Sequence, residues 1–251
     1  MSKLVIANWK MNPATYDEAE DLAEKVCNFV AESNCENVVI CPPFPWLAGL
    51  SQKYSGKVFF GAQDVFWEDK GAYTGEVSPL MLKSVNVRYV LVGHSERRAL
   101  GETDEMIGKK ISAALKNGLT VLLCVGEPKE VRGQGIEAAK KFVKEQLMKV
   151  LKTGADEKEP QVIIAYEPVW AISSGSGGVS DSPQEAEEMA VFIKDFVFSN
   201  FKFKPKVIYG GSVDDKNAAG FLGLGAIDGV LVGGASLRAD DFTEIIRAAN
   251  N

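Results

Sequence analysis

Eight short apolar runs alternate with amphipathic stretches along 251 residues, and no Pro/Gly/Ser-rich linker divides the chain. These observations predict an α/β fold, a single (β/α)8 barrel that takes in residues 1–251 as one domain. The runs occupy residues 4–9, 37–41, 58–62, 89–92, 120–125, 162–166, 206–209 and 229–232. They are rich in Val, Ile and Leu and continuous rather than alternating, the pattern of parallel strands buried on both faces. Helical patterns between them imply right-handed βαβ units, and eight such units need about 250 residues. A doubly wound open sheet is the competing architecture. No G-x-G-x-x-G follows the first run to support its dinucleotide-binding form.

Between residues 16 and 32, Ala19, Leu22, Ala23, Val26, Cys27 and Val30 fall on one helical stripe. Residues 103–117, 135–152, 183–200 and 240–249 repeat that pattern. Ser182 before Pro183 reads as an N-cap followed by a first-turn proline, with Glu185 completing a capping box. Asn117-Gly118 ends another helix before a strand.

Apolar residues make up 46% of the chain and charged residues 25%, as in an ordinary globular protein. The net charge is −6, which argues against a generic nucleic-acid binder or a membrane-surface protein. No apolar stretch approaches the roughly 18 residues of a membrane span, and the first residues lack a secretory apolar core. Four irregularly spaced cysteines suit neither a disulfide framework nor a zinc site. Free thiols in a reducing cytoplasm are expected, with no bound metal.

In such a barrel, chemistry gathers at the C-terminal ends of the strands. The first run ends in Asn8-Trp9-Lys10, which puts a cation there. The fourth leads into Gly93-His94, the only histidine in the chain. The sixth ends in Tyr166-Glu167-Pro168, a carboxylate among aromatic and apolar neighbours and therefore a candidate base. The last two lead into Gly210-Gly211-Ser212 and Gly233-Gly234. Glycine pairs let the backbone approach an oxyanion, and the loops after the last two strands are the usual phosphate site of these barrels. The set favours acid–base chemistry on a small phosphate ester without a cofactor.

The ordered motifs are Asn8-Trp9-Lys10-Met11-Asn12, Gly71-Ala72-Tyr73-Thr74-Gly75-Glu76, Gly93-His94-Ser95-Glu96-Arg97-Arg98, Cys124-Val125-Gly126-Glu127, Tyr166-Glu167-Pro168-Val169-Trp170, Tyr209-Gly210-Gly211-Ser212 and Leu231-Val232-Gly233-Gly234. This series resembles the triosephosphate isomerase family from residue 4 to residue 247. The resemblance implies interconversion of two triose phosphates through an enediolate, with Glu167 as base, His94 as a neutral electrophile and Lys10 as a fixed cation. It implies that Asn8 binds a substrate oxygen, while Ser173, Ser212, Gly233 and Gly234 hold the phosphate. Glu96 is expected as a buried carboxylate near Lys10, and Arg97 as a partner of Glu127 or Glu76. Leu231 and Trp170 would press substrate and lid together. The loop from Gln63 to Glu76, with Phe66, Trp67 and Tyr73, resembles the family's dimer loop and implies an isologous homodimer. Another phosphosugar isomerase would not need Asn8, Lys10 and His94 together. A non-catalytic phosphate-binding barrel would not need Glu167 and His94.

One segment departs from the family. Where the family runs Gly-Thr-Gly-Lys-x-Ala, residues 173–181 are longer, lack the lysine and carry three glycines. Glycines widen the open ensemble, together adding on the order of 1–3 kcal/mol to lid ordering. A loosely held lid lets an enediolate phosphate lose phosphate to water. Replacing residues 173–181 by Gly-Thr-Gly-Lys-Thr-Ala is therefore expected to lower methylglyoxal yield per turnover and to tighten a phosphoglycolate-type inhibitor. Equal values in both proteins would remove the basis for this expectation.

Overall fold

The computed structural model describes residues 3–33, 35–154, 160–172 and 181–250. Eight parallel strands close into a barrel in chain order: β1 (Leu4–Asn8), β2 (Val38–Cys41), β3 (Phe59–Ala62), β4 (Tyr89–Val92), β5 (Thr120–Val125), β6 (Val162–Tyr166), β7 (Lys206–Tyr209) and β8 (Gly229–Val232). Closure comes from β8 pairing with β1, Leu4 opposite Gly229 and Ala7 opposite Val232. Trp9, Asn37 and Val58, expected in strands, lie just outside them. Trp9 still donates its backbone N–H to the Cys41 carbonyl at 3.1 Å, but the chain turns at Lys10.

The continuous apolar runs have a structural cause. Successive side chains of a strand point to opposite faces, and here both faces are dry. Leu4, Ile6, Val39, Leu91, Leu122, Ile163, Ile208 and Leu231 fill the barrel interior. Val5, Ala7, Val38, Ile40, Val90, Val121, Ile164 and Val207 pack outward in a second core shared with the helices.

The helices are α1 (Tyr16–Ser33), α2 (Phe44–Lys53), α3 (Pro79–Ser84), α4 (Ser95–Ala99), α5 (Asp104–Lys116), α6 (Lys129–Arg132), α7 (Ile136–Gly154), α8 (Pro183–Phe201), α9 (Ala218–Leu222) and α10 (Ala239–Asn250). In α1 the whole expected stripe is buried. Ser182 caps α8 by accepting from the Glu185 N–H at 3.2 Å, and Gly118 leaves α5 at φ +70. Periodicity does not reveal α2, α3, α4, α6 or α9; all but α2 have four to six residues, too few turns to establish a period. Ser78-Pro79 carried the same capping signal as Ser182-Pro183, and the Ser78 hydroxyl does accept from the Met81 N–H. Among the described residues, no helix is long and apolar enough to cross a membrane.

One close approach lies just beyond the ends of β5 and β6. Directly after β5, Gly126 lies against the backbone that follows β6, and a Cβ on it would overlap the Glu167 carbonyl. Gly220, inside α9, has only ordinary contact with Pro183 at 3.6 Å. Gly126→Ala is therefore expected to destabilise the fold by about 1–3 kcal/mol or more, because backbone must move. Gly220→Ala should be neutral or stabilise by about 0.4–1 kcal/mol. Urea denaturation of both variants checks the contrast.

Candidate active site

Lys10 follows β1 in a left-handed conformation, φ 55, which costs a non-glycine residue about 1–2 kcal/mol. Neighbours hold it there. Its N–H donates to Asn8 Oδ1 at 3.1 Å, and Gln63 Nε2 donates to its carbonyl at 2.8 Å and to that of Cys41 at 2.9 Å. The ammonium meets Glu96 Oε1 at 2.6 Å. Glu96 is thus beside Lys10 as expected, but it is not buried: its side chain is 46% exposed. As the second residue of α4, it lies on the helix's open face.

His94 caps α4, with Nδ1 accepting from the Glu96 N–H at 3.2 Å. Its Nε2 stands 2.8 Å from Glu167 Oε1. Glu167 is buried and accepts from the Ser95 N–H at 3.1 Å and the Ser95 hydroxyl at 3.2 Å. Burial alone would lower the basicity of His94. The carboxylates of Glu167 and Glu96 outweigh it, against a smaller opposing effect of Lys10, and raise the ring above its ordinary pKa. A neutral ring protonated on Nε2 nonetheless satisfies both contacts, because Nδ1 must keep its lone pair for the Glu96 amide. Most of the upward pull belongs to Glu167 in its present position, and that part lapses if the carboxylate moves away.

The backbone around Glu167 is tied to both neighbouring strands. Its N–H donates to the Val125 carbonyl at 2.8 Å, and Gly210 N–H donates to the Tyr166 carbonyl at 2.8 Å. After β8, Gly233 lies beside Lys10: a Cβ there would come within 3.5 Å of Lys10 Cε. Gly234 opens a 3₁₀ turn, Gly234–Leu237.

A cleft of about 290 Å³ brings together Asn8, Lys10, His94, Glu167, Leu231, Gly233 and Gly234, all proposed from sequence. Ser212 does not line it, and its N–H donates to the Ala171 carbonyl at 2.9 Å. Ser173 and the rest of the expected lid before Asp181 lie outside the described residues. Asn12, Ile172, Gly211, Val213 and Leu237 also line the cleft. A larger groove of about 740 Å³ opens at the opposite mouth among Lys57, Lys83 and Arg88, away from His94 and Glu167.

The supporting residues differ from expectation. Arg97 pairs with neither Glu127 nor Glu76; it meets Asp64 at 2.8 Å and Glu102 at 3.6 Å. These two carboxylates also neutralise the buried Lys110, which contacts Asp64 at 2.7 Å and Glu102 closely. A buried ammonium needs such partners, and the pair it selects also serves Arg97. Glu127 instead accepts from Trp170 Nε1 at 2.9 Å and the Tyr166 hydroxyl at 3.1 Å. Sequence reasoning gave no role to Ser95 or Gln63. Ser95 sits inside a quoted motif, whereas Gln63 carries no local signal. The three aromatics of the 63–76 loop do not form the bare patch expected. Phe66 is buried, stacked on Trp67 at 4.1 Å and tilted against Tyr73 at 4.6 Å, and Tyr73 alone is well exposed.

Comparison with known proteins agrees with this geometry. The model of the family described as triosephosphate isomerase matches residues 3–249. A protein of Caldanaerobacter subterraneus subsp. tengcongensis named triosephosphate isomerase is 43% identical over 249 residues, covering 97% of this chain and 98% of that protein. Similar proteins of the same name occur in Acidithiobacillus ferrooxidans, 43% identical with 99% of this chain and 96% of that protein covered, and in Aquifex aeolicus, 41% identical with 98% and 99% covered. The chain belongs to the triosephosphate isomerase family.

Proposed function

We propose that this protein is a triosephosphate isomerase of glycolysis and gluconeogenesis. It interconverts dihydroxyacetone phosphate and D-glyceraldehyde 3-phosphate in the cytoplasm, through an enediolate, by chemistry that calls on no cofactor. The observation that carries the reading is the 2.8 Å contact of Glu167 with His94 Nε2 inside a cleft that also holds Lys10.

Glu167 takes the proton from one substrate carbon and returns it to the next. To do so it gives up Ser95 and His94 and turns into the cleft. His94 then offers its Nε2–H to the carbonyl oxygens, a carboxylate–neutral imidazole pairing that is the family's established chemistry. Neutrality suits the task, because the Glu96 amide occupies Nδ1 and the carboxylate that did most to raise the ring has left. Lys10 lies where charge develops on the enediolate, and fixed charges in a site closed to water stabilise it without reorganisation. The backbone at Gly233 and Gly234 approaches the phosphate without Cβ atoms in the way. Ser173 and Ser212 complete that cradle, provided the Ser212 amide releases Ala171.

Glu167→Gln keeps the shape and removes the base, so kcat should fall by about 10²–10⁴-fold. The same change removes the main influence raising His94, so its ring titrates at lower pH than in the wild type. Ring-nitrogen NMR across a pH series measures this. Undiminished kcat would reject Glu167 as base, and an unmoved His94 midpoint would reject the coupling.

The homodimer reading is supported by which apolar side chains remain bare. Met11 is 91% exposed, Leu100 84% and Tyr73 46%, and they belong to the loops after β1, β4 and β3. Gln63, the first residue of the 63–76 loop, also ties that loop to the Lys10 carbonyl. A partner covering this side would bury the apolar groups and brace Lys10. Sedimentation equilibrium is expected to give twice the 27.2 kDa chain mass. A fully active species at the single-chain mass would refute the dimer.

A further inference from the structure

A second polar cluster lies against the chain segment that carries Glu167. Val169 N–H donates to the Glu127 carbonyl at 3.1 Å, and the Glu127 carboxylate holds Trp170 Nε1 at 2.9 Å. The Arg132 guanidinium stacks over the Trp170 ring at 5.2 Å, with Nη1 3.5 Å from Glu127 Oε1. Its Nη2 meets Glu185 Oε2 at 2.6 Å and Asp181 Oδ1 at 3.5 Å. One guanidinium therefore serves three carboxylates. Asp181 and Glu127 are buried.

We propose that Asp181 is a positioning residue whose protonation state sets how firmly Arg132 holds Glu127 and Trp170 beside the catalytic glutamate. Among the described residues, the titratable groups facing it are Arg132 from α6, Glu185 from α8, Glu127 after β5, Tyr166 of β6 and Tyr209 of β7. Burial pushes the Asp181 carboxyl up to about 7, helped by Glu185 and Glu127 and opposed by Arg132. Both tyrosine hydroxyls stay protonated, since burial raises them further above their ordinary value. With its proton, Asp181 leaves Arg132 balanced between Glu127 and Glu185. Without it, a new buried negative charge draws the guanidinium toward α8. The 3.5 Å contact to Glu127 lengthens, and the Trp170 ring is uncovered.

Trp170 is three residues beyond Glu167 and reports directly on this change. The test follows its fluorescence in the full chain from pH 5 to 9, with Trp170→Phe subtracted. The wild type is expected to show a transition near neutrality that Asp181→Asn lacks. The wild-type Tm should also fall relative to Asp181→Asn as pH rises from 4 to 7, because the folded state binds this proton more tightly than the unfolded chain does. Only the third arm rests on the isomerase reading. There, kcat/KM should change by about two- to five-fold across the same transition in the wild type and not in the variant. A purely structural Asp181 would instead change kcat/KM equally at every pH, and that result overturns the proposal. So does a fluorescence transition that persists in Asp181→Asn. If that variant does not fold, Glu185→Gln should shift the wild-type midpoint to lower pH, and an unmoved midpoint overturns the proposal equally. Absence of all turnover would sink the isomerase reading and leave the fluorescence and Tm arms to decide.

Discussion

The site depends on the parallel pairing of β5 with β6. Their registry runs from Val121 opposite Val162 to Val125 opposite Tyr166, the longest pairing in the barrel. It carries Glu167 to the rim with its N–H on the Val125 carbonyl, and it puts Gly126 where only a hydrogen fits against the Glu167 backbone. A parallel ladder fixes both height and direction, so the Glu167 backbone cannot drift without breaking sheet hydrogen bonds buried from water. Glu127 and Val169 extend the same contact beyond the strands.

The electrostatic arrangement follows from that rigidity. An acidic chain has no general attraction for a phosphate ester, so the cation must be local. Lys10, the cation proposed for that task, sits in an unfavourable backbone conformation, and that strain persists because Asn8 and Gln63 over-determine the turn. Against Ser95 and His94, Glu167 is hydrogen-bonded at every contact. In the proposed reaction it would leave both and act as base from within the cleft, and that move would also lower the proton affinity of His94.

Two buried ionic networks flank the cleft and brace its walls. Lys110 with Asp64, Glu102 and Arg97 secures the loops after β3 and β4. Arg132 with Glu127, Asp181 and Glu185 secures the chain after β5 and β6. Desolvated charges persist only with partners close by, so each network ties together loops that would otherwise be independent. The first matches cations to carboxylates evenly. The second has one cation for three carboxylates, and burial of Asp181 among them raises its carboxyl above the usual range.

The strands were legible because continuous apolar runs have one physical cause, burial on both faces, and it acts within each run. Long helices were legible from their stripes, and Ser182 from its capping chemistry. Short helices were not, because one or two turns cannot establish a period. Lys10, His94 and Glu167 could be read from their place at strand ends, since the barrel brings those ends together whatever the loops do. Partners were a different matter. That Glu96 lies open, that Arg97 turns to Asp64, and that Ser95, Gln63 and Asp181 matter are outcomes of distances between loops far apart in the chain. Which carboxylate meets which cation is decided by packing at the rim. Local sequence determines the strands and the reactive groups they carry; the closed barrel alone determines their partners, because a charge pair forms only where the fold has already placed both halves and removed the water.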